Sequence, residues 1–306
     1  MKRLLTFSTA LTLVVLCRAA IAVSLPDGFH LPDSIKEMTL RYRSVQNLIV
    51  LPVKINDSIT VNLILDTGCR NLVLFGKKFK KLMKLEDGRP VQFSGLGSGK
   101  PVVGALSLYN RISIHQVLGE RIPVVVVPSK NVLSHYKDVD GVIGFELFLK
   151  FEIELNPRAK TITFRPAEYS SVPEDFSSVP LRIVDLRPVM DSKVSMGADV
   201  ALACDLMIDT GSNLGLLVKT TEMEKYTTGA RKQVIGFGFN GEVMGYQTLS
   251  EKLSLDGLSL EDVPTGVIES PWHNYASIGM NVLKDYILII NYYKLYACFK
   301  KLTAVS

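Results

Sequence analysis

The sequence contains little cysteine, tryptophan or histidine, and each scarcity excludes a kind of protein. Its 306 residues include four cysteines, one tryptophan and four histidines. Cys17 falls in a predicted leader, and the remaining three cysteines cannot build a disulfide framework in an exported protein. We therefore expect stability to come from a buried core, with Cys204 and Cys298 either bridged or left as buried thiols. The histidines are scattered without the spacing of metal ligands, so neither a metal site nor a cofactor is predicted.

The chain also lacks a strong excess of either charge and a second long apolar run. Residues 1–22 combine a basic start at Lys2 and Arg3, an apolar stretch and the small residues Ala20 and Ala22. This pattern is typical of a cleaved export signal, with an uncleaved anchor as the alternative. Without the leader, basic and acidic residues almost balance, so no nucleic-acid partner and no stable membrane insertion are expected. The predicted location is periplasmic or secreted, and cysteine scarcity favours a bacterial periplasm.

What the sequence does contain is one short motif that occurs twice. Residues 61–68 read VNLILDTG and are followed by Cys69. Residues 204–211 read CDLMIDTG and are followed by Ser212. Each copy is an apolar strand pattern that ends at an acidic residue, a hydroxyl and a glycine.

The motif belongs to a longer internal repeat. A glycine-rich hairpin follows each copy, near residues 95–104 and 236–245. An apolar segment closing on glycine comes later, at residues 142–144 and 277–279. Matches in the same order at nearly constant spacing indicate a duplication.

Short strand patterns separated by turns fill both copies, which predicts an all-β protein. The repeat predicts an N-terminal domain at residues 23–165 and a C-terminal domain at residues 181–306. A segment rich in proline and serine, residues 166–180, is the predicted linker. Two copies of one unit form an internal pseudo-dimer, so the whole chain is expected to be a monomer.

The paired motif predicts a specific chemistry. If the repeats meet about a pseudo-twofold axis, Asp66 and Asp209 face each other at the ends of buried strands. Two carboxylates in contact cannot both ionise cheaply, so they share one proton. One can then act as a general base on a water while the other polarises a carbonyl. This arrangement is suited to hydrolysing a peptide bond without a metal or a covalent intermediate.

These motifs resemble those of the pepsin and retropepsin type of aspartic protease, and most closely the bacterial single-chain duplicated retropepsin-like group. The resemblance covers nearly all of the mature chain. It implies two homologous retropepsin-like β-barrel domains related by a pseudo-twofold axis, with one active site at their interface. It also implies an aspartic endopeptidase acting on peptide or protein substrates. The implied site comprises the catalytic residues Asp66 and Asp209, the supporting residues Thr67, Gly68, Cys69, Thr210, Gly211 and Ser212, and the flap residues Gly95, Gly97, Gly99, Gly236 and Gly238.

One departure from the family pattern is Cys69, which follows the first glycine where serine or alanine is usual. Ser212 can donate a hydrogen bond to its aspartate, whereas a thiol is a weak donor. We therefore predict an asymmetric pair, with Asp209 more often charged and Asp66 more often protonated.

Other functions are compatible with parts of this pattern. A catalytically weak or silent peptide-binding module on the same fold would keep the groove and the flaps. A two-carboxylate glycosidase requires a wider separation than the paired turns allow. A cysteine protease based on Cys69 requires a histidine close to it in space.

Overall fold

The computed structural model describes residues 27–303, apart from residues 86–88, 94–95, 98, 130–132, 134, 198–199, 228 and 271–274. The predicted leader at residues 1–22 and the flap residue Gly95 lie outside the described residues. None of the helices in the described part of the chain is long and apolar enough to cross a membrane.

The described residues form an all-β structure with a few short helices, as the sequence predicted. The strands of the first half are Gly28–His30 (β1), Met38–Arg41 (β2), Arg43–Val45 (β3), Leu48–Ile55 (β4), Ile59–Leu65 (β5), Leu72–Phe75 (β6), Arg89–Phe93 (β7), Val102–Ile114 (β8), Val117–Val127 (β9), Gly141–Ile143 (β10), Phe151–Asn156 (β11) and Thr161–Pro166 (β12). Its helices are Lys77–Leu82 (α1) and Phe145–Phe148 (α2).

The second half continues in the same style. Its strands are Ser177–Pro180 (β13), Arg182–Val184 (β14), Arg187–Ser195 (β15), Ala201–Asp209 (β16), Leu216–Thr220 (β17), Lys232–Gly238 (β18), Gly241–Leu255 (β19), Leu258–Glu269 (β20), Tyr275–Gly279 (β21), Tyr286–Asn291 (β22) and Tyr296–Lys301 (β23). Its helices are Met223–Tyr226 (α3) and Met280–Leu283 (α4).

Each half builds one large sheet around its Asp-Thr-Gly strand. In the first sheet the order is β1-β9-β6-β10-β5-β4-β8-β7, with β3 beside β4. In the second sheet the order is β14-β15-β16-β21-β17-β20-β19-β18. In both, the strand that closes on glycine lies parallel to the Asp-Thr-Gly strand and antiparallel to the strand after it: β10 between β5 and β6, and β21 between β16 and β17. The apolar run of each such strand is buried on both faces, which explains why its sequence does not alternate.

A third sheet joins the two halves. Its order is β13-β23-β22-β11-β12-β2, so strands from both repeats share one hydrogen-bonded layer. The junction is the antiparallel pairing of β11 with β22, in which Ile153 lies opposite Ile290. The last residues of the predicted linker form β13, which pairs with β23 at an edge of this sheet. One apolar core therefore continues from one half into the other.

The three described cysteines, Cys69, Cys204 and Cys298, are free and buried. Of the two readings left open by the sequence, the structure therefore has buried thiols rather than a bridge. Burial raises the pKa of each thiol, and buried neutral thiols behave as small apolar side chains.

Candidate active site

Strand β5 ends at Leu65, and the chain then turns through Asp66, Thr67 and Gly68. The Asp66 N–H donates to the carbonyl of Ile143 on β10 at 2.8 Å, which fixes the start of the turn. Gly144 follows directly, and a Cβ on it would lie 1.9 Å from the Asp66 carbonyl oxygen. Only glycine allows the two backbones to approach this closely.

The second turn is held in the corresponding way. Strand β16 ends at Asp209, which lies opposite Gly279 in the parallel pairing with β21. The Met280 N–H donates to the Ser212 carbonyl at 2.7 Å. A Cβ on Gly279 would lie 2.8 Å from that same carbonyl oxygen. The glycine that closes each apolar strand therefore supports the turn that carries an aspartate.

Reciprocal hydrogen bonds between two buried threonines join the turns. The Thr67 Oγ1 donates to the Ile208 carbonyl at 2.6 Å, and the Thr210 Oγ1 donates to the Leu65 carbonyl at 2.8 Å. Each hydroxyl also accepts the other residue's backbone N–H, at 3.0 and 3.1 Å. Neither threonine has exposed surface. Because each hydroxyl satisfies backbone groups of both halves, the turns are fixed relative to each other.

This contact brings Asp66 and Asp209 together. The Gly68 N–H donates to Asp66 Oδ1 at 2.7 Å, and the Gly211 N–H donates to Asp209 Oδ1 at 3.2 Å. A Cβ on Gly211 would lie 2.6 Å from both carboxyl oxygens of Asp66. A Cβ on Gly68 would lie 3.1 Å from Asp66 Oδ1 and 3.7 Å from Asp209 Oδ1. Both glycines thus leave the space that the two carboxyl groups occupy.

The environment raises the pKa of both carboxyl groups. Burial and, to a smaller extent, the neighbouring charge of Asp209 together raise the pKa of Asp66 from 3.8 to about 7. Burial also raises the pKa of Asp209, but Lys219 and Arg187 oppose the rise. Burial therefore favours the protonated form of Asp66 up to about pH 7, and the charge of Lys219 favours the ionised form of Asp209.

Sequence reasoning did not find the two cations beside the pair. Lys219 on β17 is only 4% exposed, and its Nζ lies 4.6 Å from the centre of the Tyr275 ring. Burial lowers its pKa to about 8, although the charge of Asp209 raises it. The guanidinium of Arg187 on β15 reaches the Gly68 carbonyl, at 3.4 Å from Nε. Lys219 directly follows the apolar run at residues 214–218, and a charge at the end of a buried strand needs a partner. This was a sequence signal that could have pointed to Lys219.

The side chains of Cys69 and Ser212, the residues after the two glycines, make their described hydrogen bonds away from the carboxyl groups, whereas the backbone of each residue hydrogen-bonds to its own aspartate. The Cys69 thiol donates to the Asn71 carbonyl at 2.9 Å. The Ser212 hydroxyl accepts the Leu214 N–H at 3.2 Å. Burial and the charge of Asp66 raise the pKa of Cys69 well above its usual range, so it is a neutral thiol. The predicted asymmetry of the pair is therefore better explained by Lys219, which lowers the pKa of Asp209, than by the thiol; Arg187 lowers the pKa of both carboxyl groups.

Two glycine-rich hairpins extend from the large sheets: the first hairpin is β7 with β8, and the second hairpin is β18 with β19. Gly97 and Gly99 at the tip of the first lie against Asn240 and Gly241 at the tip of the second. Gly238 also lies at this contact, while Gly236 lies near Leu214, below the tip.

The second hairpin reaches across to the opposite half. The Phe239 ring lies 5.6 Å from that of Phe75 on β6, between centres. Phe237 stacks on His135 with the centres 3.9 Å apart. These two aromatic contacts therefore join the second hairpin to the first repeat.

Within the described residues, no group of three or more histidine, cysteine, aspartate or glutamate side chains is arranged to hold a metal ion. The site therefore consists of two carboxyl groups, their threonine and glycine supports, two cations and the hairpins.

Comparison with known proteins agrees with this geometry. Residues 51–147 match the family model described as aspartyl protease. The matched segment contains the first Asp-Thr-Gly turn and β10; the second turn, with Asp209, lies outside it. The match supports an aspartic protease assignment for this segment and a protease-type function. No curated protein matches the sequence.

Proposed function

We propose that this protein is an exported aspartic endopeptidase of the aspartic protease family, whose two repeats contribute one aspartate each. The observation that carries the proposal is the juxtaposition of Asp66 and Asp209 by the reciprocal bonds of Thr67 and Thr210. A pair of aspartates so tightly constrained, with raised pKa values, is what proton sharing requires.

The electrostatics assign different roles to the two carboxyl groups. Asp209, the better stabilised anion, takes a proton from a water lying between the carboxyl groups. Asp66, protonated below about pH 7, donates a hydrogen bond to the carbonyl oxygen of the scissile peptide bond. The water adds to the carbonyl carbon, and the resulting tetrahedral intermediate loses its amine after nitrogen is protonated by the pair. Cleavage should therefore be fastest below neutral pH.

An extended peptide is the substrate class that fits the surroundings of the pair. The backbone of such a peptide can add to the hairpins as a strand does, while its side chains lie against the walls of the cleft. The two walls differ, because Phe75 is apolar whereas Lys219, at the equivalent register in β17, is charged. We infer a single chain with a pseudo-twofold pair of retropepsin-like domains, acting as a monomer.

Cleavage of a mixed peptide library tests the proposal. The purified mature protein is incubated with the library from acidic to neutral pH, with and without pepstatin, and products are identified by mass spectrometry. We expect pepstatin-sensitive cleavage that falls at least about 1,000-fold in Asp66→Asn and in Asp209→Asn, because neither variant can share the proton.

The matched control is Asp205→Asn. Asp205 lies on the same strand as Asp209 but pairs with Arg182 at the surface, at 2.7 Å. This variant should cleave like the wild type. Cleavage that survives either dyad substitution would refute the mechanism.

A catalytically silent peptide-binding module remains the second candidate. It is favoured by the departure from the family pattern at Cys69, which stands where serine or alanine is usual. Binding of pepstatin or peptides without any cleavage, in a folded protein, would support it.

Export follows from the predicted signal at residues 1–22. Expression of the full chain in a bacterial host, followed by N-terminal sequencing of the periplasmic fraction, should give a mature protein that begins near residue 23. Recovery of the uncut chain in the membrane fraction would support the anchor instead.

A further inference from the structure

The tips of the two hairpins are joined by the side chain of one residue, Asn240. Its Oδ1 accepts the Gly97 N–H at 2.7 Å, and its Nδ2 donates to the Gly97 carbonyl at 2.7 Å. The Nδ2 also donates to the Gly99 carbonyl at 3.0 Å. The backbone carbonyl of Asn240 accepts the Gly99 N–H at 2.8 Å.

Glycine is required on both sides of this contact. A Cβ on Gly99 would lie 2.0 Å from the Asn240 carbonyl oxygen, and a Cβ on Gly97 would lie 2.5 Å from the Gly241 carbonyl oxygen. A Cβ on Gly238 would lie 2.9 Å from the Gly97 nitrogen. The backbones of the two tips therefore meet at distances that no other residue permits.

The hydrogen bonds of Asn240 imitate those of a neighbouring strand. A carboxamide offers an acceptor and a donor pair, as a peptide unit does. Bonding both the N–H and the carbonyl of Gly97 is the pattern of two residues that pair directly in an antiparallel sheet. The same two backbone groups are the ones that an extended peptide beneath the first hairpin would use.

The contact is asymmetric. Among the described residues of the two tips, only the second hairpin contributes a side-chain amide. The second hairpin is also held against the first repeat by Phe239 on Phe75 and Phe237 on His135. The first hairpin contributes backbone groups to the Asn240 contact. Releasing Asn240 would therefore free the tip of the first hairpin while the aromatic contacts of the second remain.

We propose that Asn240 is a latch that holds the hairpins closed in place of a substrate backbone, and that an extended peptide takes over its hydrogen bonds to Gly97. The first part stands on the contacts alone, whereas the second part rests on the proposed function. Asn240 is thus a positioning residue that controls access to the cleft.

Amide hydrogen exchange followed by NMR tests the latch without requiring activity. Asn240→Ala should raise the exchange rates of the Gly97 and Gly99 amides about tenfold or more, since one net hydrogen bond corresponds to about that factor. Asn240→Asp keeps the acceptor and the size but loses the donor, and it places a carboxylate beside two carbonyls. It should raise both rates as well, which controls for the loss of volume.

Gln247→Ala is the matched control. It removes a hydrogen bond between two side-chain amides on the exposed face of the same hairpin, in which Gln233 Nε2 donates to Gln247 Oε1 at 3.1 Å. The glycine amides should keep their wild-type rates in this variant. Unchanged rates in Asn240→Ala, or faster exchange at Gly97 alone, would overturn the latch.

Pepstatin binding tests whether an extended ligand takes over the hydrogen bonds that Asn240 makes to Gly97. When the site is saturated, the Gly97 rates of wild type and Asn240→Ala should become equal, because the ligand now supplies the bonds. The association rate of pepstatin should rise about tenfold in the variant. If the Gly97 amide of Asn240→Ala still exchanges faster than that of the wild type in the pepstatin complex, the proposal that the ligand takes over the hydrogen bonds of Asn240 is wrong. If amide exchange is faster in Asn240→Ala but the protein neither binds nor cleaves peptides, the result supports the latch and refutes the proposed protease function.

Discussion

Removing one hydroxyl, in Thr67→Val, should destabilise the whole protein, because that hydroxyl serves two buried backbone groups. Its Oγ1 donates to the Ile208 carbonyl and accepts the Thr210 N–H. Valine has nearly the same shape and supplies neither bond. Each buried backbone group left without a partner costs about 1–3 kcal/mol, so the expected loss is about 4 kcal/mol. Since a domain of ordinary stability has about 5–15 kcal/mol in total, the loss should be large.

Urea denaturation gives the free energy of unfolding, and peptide cleavage is measured well below the midpoint. Thr67→Ser keeps the hydroxyl and should lose only about 1 kcal/mol, the contribution of one methyl group. Thr265→Val serves as a control for general destabilisation. Thr265 is also buried, and it donates to Val263 and bonds Ser250 within the second repeat. It should lower stability without lowering cleavage by the folded protein.

A cost below about 1 kcal/mol for Thr67→Val would refute the reasoning, because it would mean that the backbone groups find other partners. Equal cleavage by the folded Thr67→Val protein would separately show that the threonine does not hold the carboxyl groups in place. Because the contact between the two hydroxyls, at 3.5 Å, is lost in either single variant, the double variant should cost less than the sum of the two.

Three further predictions follow from the site. Gly144→Ala should lower the free energy of unfolding by at least about 3 kcal/mol or prevent folding, since its Cβ would meet the Asp66 carbonyl oxygen. Gly236→Ala, whose Cβ would lie near the Leu214 side chain, should fold normally, and thermal denaturation compares the two variants. Lys219→Met should raise the pKa of Asp209 and move the acidic limb of kcat/KM to higher pH, and Lys219→Arg should restore it; an unmoved profile would contradict the assignment. Between pH 3.8 and about 7 the native state holds a proton on Asp66 that the unfolded chain releases, so the stability of the wild type should fall as pH rises through this range. The urea midpoint of Asp66→Asn, which has no carboxyl group at this position, should fall less over the same range.

Much of the site could be placed from local sequence. The Asp-Thr-Gly turns lie at the ends of β5 and β16 because apolar strands stop where an aspartate and a glycine follow. The apolar segments closing on glycine became β10 and β21, whose continuous apolar runs fit strands buried on both faces. The catalytic roles remain predictions that the cleavage experiment tests.

Strand pairing decides some elements that a local pattern does not. Residues 111–117 have a strand pattern throughout, yet the chain turns at His115, which has a positive φ of 53°. The turn joins the long strands β8 and β9, which pair with each other. Ser177–Pro180 looked like linker but forms β13, since β23 offers it an unpaired edge.

The sequence by itself determined the all-β class, the duplication and the two aspartates, because apolar periodicity and a repeated motif are local properties. Only the tertiary structure decided which cations lie beside the aspartates and how the tips of the two hairpins meet. Arg187 and Asn240 lie more than 100 residues along the chain from Gly68 and Gly97, the groups that they contact, and Lys219 faces Asp209 from a neighbouring part of the same sheet. Their effects depend on burial and on distances between strands, and these exist only once the two halves share a sheet and a core.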